Sequence, residues 1–294
     1  MNKGIWRAAG AYTIWGLFPL YWKWLQHVPA LQLICHRILW SCLILAGVIL
    51  CMRRTRAFRV TALTPSVVCI YTAAALLVGI NWLVYVWAVN AGFIVEASLG
   101  YFINPLLSIL MGVIFLRERL RSWQWLPIGL TALGVLYLTF TYGRPPWIAL
   151  TLAVTFGLYG LVKKTAPLGS LFGLALETGL LFLPALLFLA YAEGTGKGAF
   201  LHTGAGSDLL MMGAGLITTV PLLMFASAVQ RIPLFLVGIL QFITPTLQFL
   251  IGVLIYHEPF TYEKLIGFGL VWAALIIFGI EGYLANRGRF AVAT

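Results

Sequence analysis

The chain has 294 residues, 62% of them hydrophobic and only 9% charged, with a formal net charge of +11. Soluble domains carry about 25% charged residues, so this composition excludes an ordinary water-soluble protein and implies a polytopic membrane protein with lipid as its outer solvent. The positive charges lie between apolar runs rather than along one face, which argues against a nucleic-acid surface.

A helix needs roughly 20 apolar residues to cross the hydrocarbon core. In chain order that rule predicts ten spans, at 5–24, 31–52, 66–89, 94–116, 123–142, 146–164, 168–191, 209–229, 233–256 and 262–283. The first run follows Lys3 and Arg7 and is long and aromatic-rich. It lacks the short apolar core and small-residue cleavage site of a signal peptide, and reads as a retained helix. With a cytoplasmic N-terminus, the inside segments hold fourteen Lys and Arg, among them Arg53, Arg54, Arg56, Arg59, Lys163 and Lys164. The outside segments hold four: Lys23, Arg144, Lys197 and Lys264. That bias places both termini in the cytoplasm. The Arg53–Arg59 cluster is expected to set topology and attract anionic lipid, with no nucleic-acid role.

The apolar stretch Gly100–Gly112 recurs about 140 residues later as Leu240–Gly252. Phe102, Ile103, Pro105, Leu107, Leu110 and Gly112 fall on Phe242, Ile243, Pro245, Leu247, Leu250 and Gly252, and further on Glu118 falls on Glu258. Trp15–Leu20 matches Phe156–Leu161 at an offset of 141, where Lys23 falls on Lys164. Two copies of five helices, residues 1–143 and 144–294, therefore make up the chain. Five is odd, so the second copy enters the membrane from the opposite side. The expected fold is an all-α integral membrane protein, two inverted five-helix repeats around a central cavity.

Inverted repeats place the substrate near the bilayer midplane. Polar groups inside spans are costly and become functional candidates by default. The best set is a pair of stripes, Tyr101, Asn104 and Ser108 in the fourth span and Gln241, Thr244 and Gln248 in the ninth. Pro105 and Pro245 each remove one helical hydrogen bond and free a carbonyl four residues upstream. The same polar residues could instead join helices to one another. The third span adds Asn81, Trp82, Tyr85 and, at its outer end, Asn90. Tyr12, Trp15, Phe156 and Tyr159 are further candidates for the cavity wall. Trp22, Trp24, Trp123, Trp125 and Trp147 read as interface anchors.

Two ionisable residues sit deep within spans, Arg37 in the second and Glu177 in the seventh, and they are counterparts at an offset of 140. They fit a role in handling substrate charge or protons, or else a structural ion pair or a snorkelling arginine. Glu96, near an external helix end, reads as solvated. Cys35, Cys42, Cys51 and Cys69 show no metal or disulfide spacing. His27, His36, His202 and His257 form no metal cluster, and no hydrolase or nucleotide-binding motif appears, so neither an enzyme nor a cofactor is expected.

Ala97-Ser-Leu-Gly-Tyr-Phe-Ile-Asn-Pro105, Pro221–Gln230, Gly238–Gln248 and Glu258-Pro259 resemble the RarD-type subgroup of EamA-domain proteins in the drug/metabolite transporter superfamily. The resemblance spans essentially the whole chain. It implies a ten-helix fold of two EamA repeats in the bacterial inner membrane, exporting small metabolites or drugs through a cavity among spans one, three, four, six, eight and nine. The expectation is thus a secondary exporter of small organic or amino-acid-like compounds. A membrane scaffold without transport of its own is the alternative from a different class.

Overall fold

A computed structural model describes residues 3–91, 93–141, 146–257 and 262–291. Arg144 and the Glu258–Pro259 pair lie outside these residues, as do the side chains of Asn90, Glu96 and Lys264. The described chain is helical: α1 (Lys3–Trp24), α2 (Ala30–Cys51), α3 (Thr55–Ala62), α4 (Pro65–Asn90), α5 (Ile94–Ile114), α6 (Trp125–Thr141), α7 (Trp147–Thr165), α8 (Ser170–Gly194), α9 (Ala205–Val229), α10 (Leu234–Gln241), α11 (Ile243–Leu254) and α12 (Tyr262–Ala291). Proline marks several starts, as Pro29 before α2, Pro146 before α7 and Pro233 before α10. A ring there forfeits no intrahelical hydrogen bond, because the first N–H groups of a helix have no partner within it.

Six stretches are long and apolar enough to cross a membrane: α2, Pro65–Ala88 of α4, α7, α8, α9 and the combined Leu234–Leu254. Leu50, Leu83, Leu126, Leu187 and Ile276 are each more than half exposed. Apolar side chains turned outward on so many helices fit lipid as the surrounding solvent. The chain is a multi-pass membrane protein.

Packing follows a pattern that repeats when residue numbers shift by about 140. α1 packs on α11 and α9, and α7 packs on α5 and α4. α2 crosses α9 while α8 crosses α4; α2 meets α8, α5 meets α10, and α6 meets α12. Close approaches are matched as well. A Cβ on Gly16 would lie 2.7 Å from Leu247 Cβ, and one on Gly157 would lie 3.2 Å from Met111 and 3.7 Å from Leu107 Cβ. The turns after α5 and α11 share a left-handed residue at matched places, Arg117 (φ 54°) and His257 (φ 52°).

The two proline-bearing copies differ in one respect. Pro105 stays inside a continuous α5, whereas the helix expected over 233–256 breaks between Gln241 and Ile243. Pro245 has no N–H for the Gln241 carbonyl, and the Phe242 N–H closes a tighter turn on Ile239 O at 3.3 Å. Gly238 lies against the carbonyl of Pro105, where a Cβ would approach to 2.7 Å, so α10 and α5 touch backbone to backbone. At the start of α10 the Glu118 carboxylate accepts hydrogen bonds from the N–H groups of Leu234 (2.6 Å) and Phe235 (2.9 Å). A carboxylate suits that position, since it satisfies two free donors and complements the positive end of the helix dipole.

Candidate functional site

A cavity of about 300 Å³ lies among α1, α2, α4, α5, α7, α9, α10 and α11. Most of the residues singled out from sequence line it: Tyr12, Trp15, Asn81, Tyr85, Tyr101, Asn104, Gln241, Thr244, Pro245 and Gln248. Phe156 joins them, together with Phe18, Pro19, Trp22, Trp82, Gly100, Leu152 and Leu222.

Several polar groups of the wall are committed to helix contacts. Asn81 Nδ2 donates to Leu152 O (2.8 Å) and to Thr155 Oγ1 (2.9 Å), joining α4 to α7. Thr244 Oγ1 donates to Tyr12 O at 2.8 Å and Gln248 Nε2 to Trp15 O at 3.3 Å, joining α11 to α1. Two buried wall atoms, Tyr12 Oη and Asn104 Oδ1, have no hydrogen-bond partner among the described residues. A buried acceptor or hydroxyl left without a partner costs about 1–3 kcal/mol, and both of these belong to residues of the cavity wall. The rings of Tyr85 and Tyr101 meet edge to face at 5.8 Å.

Two expected wall residues lie elsewhere. Ser108 is buried one turn deeper and donates to Gln241 Oε1 at 3.4 Å, so it links the two stripes instead of facing the cavity. Tyr159 is fully buried, stacked on Phe225 at 6.0 Å and donating to Glu177 Oε2 at 3.0 Å. With Phe225 it forms an aromatic layer beneath Tyr12, Trp15 and Phe156, each of which contacts Phe225.

The paired charges separate. Glu177 does not line the cavity; its Oε1 accepts from Lys163 Nζ at 2.7 Å, and both side chains are 2% exposed or less. Lys163, counted among the cytoplasmic loop charges from sequence, is instead the buried partner of Glu177. It lies near the end of α7, one turn beyond Tyr159 on the same face, and that face points into the bundle. Arg37 does line the cavity. Its Nε donates to Thr218 Oγ1 at 2.9 Å, and its guanidinium lies over the rings of Trp82 (4.8 Å) and Trp22 (5.1 Å). Trp22 is therefore a wall residue under a cation, whereas Trp24, Trp123, Trp125 and Trp147 are each at least half exposed, as interface anchors would be. Spacing could have assigned Trp22: it lies seven residues from Trp15 and four from Phe18, on one face of α1.

An EamA-like transporter family model matches residues 2–140. A protein named RarD from Streptomyces exfoliatus is 44% identical over 94% of this chain and 88% of its own. An uncharacterized transporter, YojE, from Bacillus subtilis is also 44% identical, over 94% of this chain and 93% of its own. RarD from Escherichia coli is 38% identical over 97% of both. A crystal structure with 18% identity superimposes with a TM-score of 0.70, covering 94% of this chain and 97% of that one, which shows a shared fold. The chain belongs to the EamA-like transporter family, among its RarD-type members, and is a membrane transporter of small molecules rather than an enzyme.

Proposed function

We propose that the protein is a ten-span secondary transporter of the bacterial inner membrane, with both termini cytoplasmic, that exports small organic metabolites by alternating access. Residues 1–143 and 144–294 are its two inverted repeats. The matched helix pairings, the Gly16 and Gly157 contacts and the shared left-handed turns support that symmetry. The single observation that carries the functional reading is the cavity. It lies between the halves, pairs apolar aromatic walls with Tyr12 Oη and Asn104 Oδ1, which have no partner among the described residues, and takes helix-break residues into its lining. Pockets of this character, mostly apolar with a few convergent polar groups, are typical of small-molecule sites.

Under the proposed topology the cavity occupies the outward halves of α1, α4, α5 and α7. The layer of Tyr159 and Phe225 closes the inward side. Exchange of conformation between the repeats opens the opposite side and turns the Glu177–Lys163 pair toward it. In that state Glu177 carries charge or a proton; in the present one it joins α7 to α8. The exposed Arg53, Arg54, Arg56 and Arg59 around α3 hold anionic lipid headgroups. Purified protein in liposomes, assayed for flux against a panel of metabolites, tests the reading. Flux that needs Asn104 supports it; absence of flux across the panel, with retention of a protein partner, would make the chain a scaffold instead.

A further inference from the structure

The repeat relation sets two clusters side by side. In the second half Glu177 on α8 meets Lys163 and Tyr159 on α7. Their counterparts in the first half are Arg37 on α2 and, at an offset of 141, Trp22 and Phe18 on α1. The spatial arrangement recurs, since the Arg37 guanidinium lies 5.1 Å from the Trp22 ring and 5.9 Å from the Phe18 ring. The charge balance does not recur. Where Glu177 has an ammonium group, Arg37 has an indole, and Arg37 forms no ion pair among the described residues. Among the described residues, the phenols of Tyr85 and Tyr101 are the titratable groups nearest to it.

Arg37 is also held in place. Thr218 fixes Nε, and Trp82 and Trp22 fix the plane of the guanidinium. Nη1 and Nη2 carry four further N–H donors, and none of them has a partner among the described residues. Their outer edge matches a carboxylate, which it grips through two parallel hydrogen bonds. A fixed cation with no counter-ion among the described residues is costly in an apolar cavity, and a balancing charge is most cheaply supplied by what enters the cavity.

We propose that Arg37 is the anion subsite of the cavity and that the cargo is an organic monoanion. Its carboxylate meets the Nη edge of Arg37, and its apolar body lies against Trp15, Tyr85 and Phe156. One cation with no ion pair among the described residues balances one negative charge, which favours a carboxylate over a dianionic phosphate. A volume of about 300 Å³ is at the small end of ligand pockets, so the body is of the order of a single ring or a short branched chain. This inference rests on the transport reading above, because it assigns the cavity to cargo.

Three probes of the same shape test it: phenylacetate, phenylacetamide and phenethylamine. Their binding to purified protein is followed by tryptophan fluorescence and calorimetry, with Arg37→Gln and Arg37→Lys beside the wild type and monodispersity checked for each. Phenylacetate is expected to bind the wild type at least about 30-fold more tightly than phenylacetamide, the scale of hydrogen bonds to a charged group. Arg37→Gln removes that preference and Arg37→Lys, which keeps the charge but loses the planar fork, retains part of it. Equal binding of acid and amide, survival of the preference in Arg37→Gln, or binding of none of the three overturns the proposal. Flux of the same probes into liposomes separates the two readings. Entry of the amide or amine but not the acid removes the anion subsite and keeps the transporter, whereas acid that binds through Arg37 but never crosses keeps the subsite and removes transport of this class.

Discussion

Lys163→Met offers a direct test of how the interior of the second half is held. The ammonium and the Glu177 carboxylate are 2.7 Å apart and almost wholly buried, and Tyr159 adds a hydrogen bond of 3.0 Å to the other carboxylate oxygen. Removing one member of a buried pair leaves an uncompensated charge and costs about 3–5 kcal/mol. Here the Glu177 carboxylate would keep only the Tyr159 hydroxyl, so the upper part of that range is expected. Glu177→Gln should cost less, because the amide oxygen still accepts from Lys163 and the ammonium keeps the Tyr71 and Tyr159 rings at 5.2 and 5.8 Å. The double variant Lys163→Met, Glu177→Leu removes both charges and should recover most of the loss, as buried pairs replaced by apolar groups commonly do. Unfolding by titrated sodium dodecyl sulfate in mixed micelles, followed by tryptophan fluorescence, gives the four free energies of the cycle. A cost below about 1 kcal/mol for Lys163→Met, or a double variant as unstable as the sum of the singles, would refute the account of this pair.

Other expectations follow from particular contacts. Asn104→Leu removes a buried acceptor that has no partner among the described residues, so unfolding should be unchanged or slightly harder while liposome flux falls; a loss of stability with flux intact would contradict this. Asn81→Leu forfeits two interhelical bonds and should destabilise by roughly 1–2 kcal/mol in the same unfolding assay. Gly16→Ala places a Cβ 2.7 Å from Leu247 Cβ, and overpacking of this kind costs about 1–3 kcal/mol, visible as a lowered midpoint. Topology reporters fused after residue 59 and at the C-terminus should both report cytoplasm, and an external signal from either would break the ten-span arrangement.

Much of this could be read in the sequence because lipid imposes simple rules. Apolar run length located helices, and the recurrence of Phe102, Pro105 and Gly112 at Phe242, Pro245 and Gly252 paired the stretches that meet across the cavity. Polar residues in apolar runs stood out, so Asn104, Gln241 and Gln248 were identifiable without coordinates. Rotational detail was not. Trp22 and Trp24 are two residues apart and look alike in a hydropathy profile, yet a 200° turn of α1 sends one to Arg37 and the other outward. Lys163 beside Lys164 has the appearance of a topogenic loop pair, and only the packing of α7 on its neighbours buries the first and leaves the second to donate to Ile232 O at 2.6 Å. The break at Phe242 is a further case. Pro105 and Pro245 are equivalent in sequence, and the contacts of Gly238 and Thr244 that distinguish their surroundings are tertiary.

The Lys163–Glu177 pair also constrains how the chain reaches the bilayer during synthesis. Glu177 lies eight residues into α8, and a lone carboxylate at such depth adds about 2.5–3.5 kcal/mol to insertion of that helix by itself. Its neutralising partner is carried by the segment made just before it, fourteen residues upstream. Entry of the two helices as a hairpin, with the charge already matched, would spare α8 that cost. Arg37 has no such companion among the described residues, and the cost of its passage falls on the apolar length of α2.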